Sequence, residues 1–178
     1  MEVIDIMEAM FRDLKASEID CRISQINEKG LSLLLYKDAR VDMDILDETV
    51  GAKNWQRSHT RDNANCIIEI WDDEKKQWIR KEDTGTESYT EKEKGLASDS
   101  FKRAGFNWGI GRELYTAPFI YIPVKDAEEK ENFTLKEKAG KYTTSTKFYV
   151  EAIQITEKVI TGLAIKNNKG KRVFVWKK

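Results

Sequence analysis

Histidine is almost missing from this chain: His59 is the only one among 178 residues. A histidine-rich metal site is therefore excluded, and a Ser-His-Asp triad would have to run through His59. Cysteine is nearly as scarce. Cys21 and Cys66 lie far apart in apolar runs and fit no metal-ligand spacing. Buried reduced thiols are the first reading, with a disulfide or a reactive thiol as alternatives. No apolar run approaches the roughly eighteen residues of a membrane span. Residues 1–10 also lack the basic start of a signal peptide. A cytoplasmic protein with no membrane partner is expected. No glycine-rich loop precedes a Lys-Ser/Thr pair, so nothing marks a nucleoside-triphosphate cradle. Gly109-Ile110-Gly111 is a lone G-x-G that follows a helix instead of opening one. No cofactor is expected.

Net charge is missing as well: 31 Lys and Arg balance 31 Asp and Glu. That argues against a simple basic coat for nucleic acid. The balance is local only in part. Residues 132–178 hold 11 Lys/Arg and 3 Asp/Glu, a surplus of +8 that leaves −8 on residues 1–131. Such asymmetry points to a basic face that meets an anion, or to a solvated C-terminal hairpin. With 40% apolar and 35% charged residues, the chain reads as a soluble globular protein with a sizeable core.

Periodicity organises the chain. Ile4, Ile6, Met7, Met10, Phe11 and Leu14 form a helical stripe. Runs 20–26 and 31–36, joined by Asn27-Glu28-Lys29-Gly30, read as a β-hairpin. Val41, Ile45, Leu46 and Val50 predict a helix that Gly51 terminates. Strands are expected at 55–60, 65–71 and 78–81, with a polar turn at 72–76. Residues 89–115 read as one capped amphipathic helix ending in a glycine-broken aromatic turn. Thr90 and Glu93 match a capping box. Leu96, Ala97, Phe101, Ala104 and Trp108 make the buried stripe. Lys102 and Arg103 fall off it, and Asp99 stands four residues before Arg103, where an ion pair would hold the guanidinium. Pro118 and Pro123 flank an extended stretch, and residues 126–131 read as a charged, mobile linker. Runs 147–156, 159–166 and 172–176 predict an antiparallel meander with a turn at 167–170.

Three chemistries compete on these residues. Asp72, Asp73, Glu82, Asp83 and Glu87 supply carboxylates that a Mg²⁺-dependent nuclease would need, although Asp72 and Asp73 sit where a hairpin turn calls for acids anyway. Arg22, Tyr36, Arg40, Arg57, Lys81, Lys102, Arg103 and Arg112 supply cations and an aromatic ring for a phosphate backbone and its bases. The plainest alternative is an α+β interaction or regulatory module whose basic helix docks an acidic partner.

Three segments, in order, resemble the phage and prophage branch of the Rad-fifty-two-like single-strand annealing proteins. Tyr36-Lys37-Asp38-Ala39-Arg40 leads through Leu46-Asp47-Glu48 to Gly51 and Trp55. Glu82-Asp83-Thr84-Gly85 precedes the long helix. Lys94-Gly95-Leu96-Ala97-Ser98-Asp99-Ser100-Phe101-Lys102-Arg103-Ala104 then runs to Trp108-Gly109. The resemblance covers roughly residues 18–123, and nothing after about residue 125 matches.

The resemblance implies a β-β-β-α core with a bent antiparallel sheet packed on one long helix; with the C-terminal β meander read from spacing, the expected fold class is α+β. The chain is then expected to divide into an annealing core at 1–124 and, from its charge pattern, a charged linker with a basic extension at 125–178. The resemblance also implies a non-enzymatic protein that binds single-stranded DNA and anneals complementary strands without ATP or metal, in recombination and repair. A homo-oligomeric ring or arc is implied, with a single-strand-binding protein as a further partner, in a bacterial or phage-infected cell. By position, Lys102 and Arg103 match the family's backbone-binding pair. Arg22 and Tyr36 fall near its contacts on the first hairpin, and charge and placement add Arg40 and Arg112. Phe106 stands one turn after the pair, where eukaryotic members carry a basic residue.

Overall fold

The computed structural model describes residues 11–86 and 92–178. In chain order these residues form β1 (Asp20–Ile26), β2 (Gly30–Tyr36), α1 (Ala39–Val50), β3 (Trp55–Thr60), β4 (Asn65–Asp72), β5 (Gln77–Thr84) and α2 (Lys92–Asn107). There follow β6 (Ile120–Pro123), β7 (Lys136–Lys138), β8 (Lys141–Thr143), β9 (Phe148–Thr156), β10 (Val159–Asn167) and β11 (Arg172–Lys177). The fold is α+β with antiparallel sheets. The chain forms two compact units, one built around residues 39–111 and one from residues 13–38 and 112–178.

The first unit holds α1, the three-stranded sheet β3-β4-β5, and α2 packed across β4 and β5. β4 reads as a near-continuous apolar run, and Cys66, Ile67, Ile68 and Ile70 are all buried. Cys66, Ile68 and Ile70 lie opposite His59, Arg57 and Trp55 on β3, and opposite Asp83, Lys81 and Ile79 on β5. Residues paired in this way project from one face. Phe101 and Ala104 of α2 are wholly buried, and Phe101 stacks on Trp55 at 6.2 Å between ring centroids.

Two backbone features seat α2 and end it. Gly85 leaves no room for a side chain: a Cβ there would lie 2.7 Å from the Ser100 nitrogen and 3.0 Å from the Leu96 carbonyl oxygen. The loop after β5 therefore touches the helix backbone directly. At the other end, Gly109 N–H donates to Phe106 O and Ile110 N–H to Gly105 O, both at 3.0 Å, with Gly109 at φ 92°. This is a Schellman termination, and Gly109 supplies its left-handed residue.

The second unit is a six-stranded sheet in the order β11-β10-β9-β1-β2-β6. Register shifts interrupt β1–β2, β9–β10 and β10–β11. Such bulges bend strands and add twist, and the two edge strands β11 and β6 approach one another. The enclosed face carries Leu31, Leu33, Ile120, Ile122, Phe148, Val150, Leu163 and Ile165, all buried. β7 and β8 form a separate exposed two-stranded ribbon.

Several expectations change. The long helix is one of two among the described residues, and α2 stops at Asn107 rather than running to 115. A short 3-10 helix, Arg112–Thr116, follows it. Residues 4–10 of the first helical stripe and the Thr90 cap lie outside the described residues, while Phe11 to Leu14 carry no helix. β5 is longer than its apolar signal because ladder pairing with β4 continues to Thr84. The meander does not stand apart from the first hairpin: β9 pairs with β1 at Asp20–Tyr149. Residues 126–131 close a turn on Asp126, whose carboxylate accepts from Glu128 N–H, Lys130 N–H and Lys171 Nζ at 2.8–2.9 Å.

The contact at Gly85 can be tested. Gly85→Ala forces backbone against backbone, so it is expected to destabilise the protein by about 1–3 kcal/mol in urea unfolding. Unchanged stability would show that α2 is not seated against this loop.

Candidate nucleic-acid interface

Lys102 and Arg103 follow directly from the packing of α2. With Phe101 and Ala104 turned into the sheet, the residues between them turn away from it. Both cations are half-buried. Arg103 Nε donates to Asp99 Oδ2 at 3.0 Å, the ion pair expected from the i, i+4 spacing. The same oxygen accepts from Thr86 N–H at 2.8 Å and Thr86 Oγ1 at 3.2 Å. Asp99 thus fixes Arg103 and the loop after β5 together. Burial works to raise its carboxyl pKa, but the Thr86 and Arg103 donors outweigh it and hold Asp99 below the ordinary value.

Two further cations flank the helix on its packed side. Arg57 of β3 lies over the Phe101 ring at 4.7 Å, and Lys81 of β5 lies over Trp108 at 4.4 Å. Lys81 Nζ also donates to Asn107 O at 3.0 Å. Trp108 is half-buried, not wholly core, and donates Nε1–H to Ile68 O at 3.3 Å. Arg40 is exposed in the first turn of α1, on another element of this unit.

Arg22 and Tyr36 come together in the second unit. Arg22 stands on β1 and Tyr36 ends β2, and both line a cleft of about 550 Å³. Burial, then the charge of Asp20, pushes the Tyr36 phenol above its ordinary pKa, while Arg22 pulls it down. The cleft brings in Lys147 and Tyr149, which the sequence reading did not single out. Arg112 opens the 3-10 helix after α2 and does not line this cleft. The six residues therefore divide between the two units, Lys102, Arg103 and Arg40 in the first and Arg22, Tyr36 and Arg112 in the second, and only Lys102 with Arg103 and Arg22 with Tyr36 are brought together.

Of the carboxylates that would support metal chemistry, Glu87 lies outside the described residues, and the other four have hydrogen-bond or ion-pair partners. Asp72 and Asp73 pair with Lys75 and Lys76 in the β4–β5 turn. Glu82 accepts from Asn65 Nδ2, and Asp83 from Thr84 N–H and Asn107 Nδ2. Among the described residues, no three His, Cys, Asp or Glu converge on one point. Ser100 Oγ is 3.5 Å from His59 Nδ1, but Ser100 is fully buried and its hydroxyl donates to Asn63 O or Ala97 O. Burial pushes the Cys21 thiol up to about 12 and the Cys66 thiol up to about 11, so both are protonated, weak nucleophiles near neutrality. No helix among the described residues is long and apolar enough to cross a membrane.

No protein-family model, curated protein or solved structure matches this chain.

Asp99 has a pH signature. Asp99→Asn is expected to cost about 1 kcal/mol at pH 7, the scale of a partly exposed charged hydrogen bond. A lowered carboxylate stabilises the fold above its unfolded pKa and loses that contribution as pH falls through the folded value. The gap between parent and variant in denaturation should therefore close below pH 4, and a gap independent of pH would refute the assignment.

Proposed function

We propose that this protein binds single-stranded DNA through its phosphate backbone and anneals complementary strands without ATP. The observation that carries this reading is the Lys102–Arg103 pair on the outward side of α2, with Arg103 held by Asp99. Lysine and arginine neutralise phosphates and release counterions, which favours binding without reading sequence. The run β3-β4-β5-α2 has the strand-strand-strand-helix order that the resemblance to annealing proteins implies, and this supports the same reading.

Annealing asks little chemistry of the protein. Two strands must be held extended while their mutual repulsion is screened, and the bases must stay free to pair. Side chains that grip only phosphates meet that requirement. One cation pair on a molecule of zero net charge grips weakly. A homo-oligomer repeats the pair along one strand and multiplies affinity without new contacts. A ring or arc of protomers is therefore part of the proposal, in a bacterial or phage-infected cell, with a single-strand-binding protein as a further partner.

The test is the double variant Lys102→Ala with Arg103→Ala. Circular dichroism should be unchanged, because neither side chain packs in the core. Anisotropy with a labelled oligonucleotide should show binding at least tenfold weaker. Its dependence of log K on log salt should be shallower by about 1.4, two contacts at roughly 0.7 each. Annealing of complementary oligonucleotides without ATP should slow in parallel. A double variant that binds as well as the parent overturns the assignment. A parent that stays monomeric and ignores DNA would favour a protein-docking module.

A further inference from the structure

A line of side chains crosses the outward face of the six-stranded sheet. Tyr36 on β2 lies opposite Asp20 on β1, and Asp20 lies opposite Tyr149 on β9. Tyr149 lies opposite Lys166 on β10. Directly opposed residues in antiparallel strands share a face. Both tyrosines are large and open to solvent, Tyr36 at 42% and Tyr149 at 45% exposure. The inward side of the same strands is filled by Leu33, Phe148 and Ile165, so the two rings are not needed for the core.

The line borders the cleft. β1 and β9 share one register pair, Asp20–Tyr149, and the ladder goes no further. Arg22 and Lys147 stand in the cleft with the two tyrosines. Of the charged residues that line the cleft, Arg22 and Lys147 outnumber Asp20, while Asp38 also acts on Tyr36 and Lys166 on Glu151. Arg172, the next residue across from Lys166, is held by Glu151 at 2.6 Å. An aromatic ring takes the face of any base, and a neighbouring cation takes the phosphate that follows. Two inter-strand steps separate the tyrosine backbones, about 10 Å, so each ring serves its own base.

We infer that the β1–β9 cleft is a base-stacking platform for single-stranded DNA, in which Tyr149 and Lys147 of the C-terminal meander complete a site begun by Tyr36 and Arg22. The inference rests on the single-strand-binding reading and extends it to a segment that the resemblance does not cover. It gives part of the basic surplus of residues 132–178 a ligand. The site differs in kind from the α2 pair: the pair grips phosphates only, whereas the platform also engages bases. A strand lying on it is held by its base faces, with the pairing edges left free.

The experiment uses the full chain and a fluorescein-labelled deoxythymidine oligonucleotide. Tyr149→Ala is expected to weaken binding roughly tenfold, and Tyr149→Phe, which keeps the ring, to bind like the parent. Lys147→Ala should flatten the log–log salt dependence by about 0.7. In parallel, the unsubstituted protein is photo-crosslinked to the same oligonucleotide carrying 5-iododeoxyuridine, and adducts are mapped by mass spectrometry. Adducts on Tyr36 or Tyr149 support the platform even if a substitution disturbs folding. If Tyr149→Ala binds normally and adducts fall elsewhere, while Lys102→Ala with Arg103→Ala still loses binding, the platform is overturned and the α2 reading stands. If the parent itself does not bind the oligonucleotide, both are overturned.

Discussion

The seating of α2 on β4 and β5 governs what the first unit can present to a ligand. Phe101 and Ala104 enter the sheet, and the loop at Gly85 meets the helix backbone without an intervening side chain. Once those contacts are made, the helical period leaves Lys102 and Arg103 no route into the core. Asp99 then removes much of the freedom left to Arg103 and binds the Thr86 backbone as well. Arg57 and Lys81 are drawn the other way, onto the faces of Phe101 and Trp108. Four cations are therefore sorted by one packing event: two cover aromatic rings beside the helix, and two stand on its outward side.

The second unit is organised by a different constraint. Its sheet joins the N-terminal hairpin to the C-terminal meander through a single register pair, Asp20–Tyr149. Bulges on several strands curve it around an apolar core. Asp126 ties the turn at 126–131 to Lys171, which gives that acidic stretch a fixed partner in the basic segment. Zero net charge is thus an average over contacts of this kind. What a ligand meets is the local residue, such as Lys147 beside Tyr149 in the cleft.

Much of the local structure was legible from residue spacing. The 20–36 hairpin, the helix ending at Gly51, the β3 to β5 strands, the Phe101 and Ala104 core of the α2 stripe, the Asp99–Arg103 pair and the β9 to β11 meander all rest on patterns within a few residues. Leu96, Ala97 and Trp108 of that stripe are only half-buried, and Ser100 is buried in addition. The extent of β5 and the end of α2 were less legible. Ladder pairing carried the one past its apolar signal, and a Schellman turn at Gly109 stopped the other before its aromatic tail.

The sequence by itself determined which residues alternate, which recur every third or fourth position, and hence which cations on α2 stay out of the core. Those are short-range consequences of backbone geometry. Only the tertiary structure decided that β9 lies beside β1, and so that Tyr149 and Lys147 join Tyr36 and Arg22 more than a hundred positions away. Pairing between distant strands depends on the burial of whole sheet faces, and no spacing along the chain records which strand will be the neighbour.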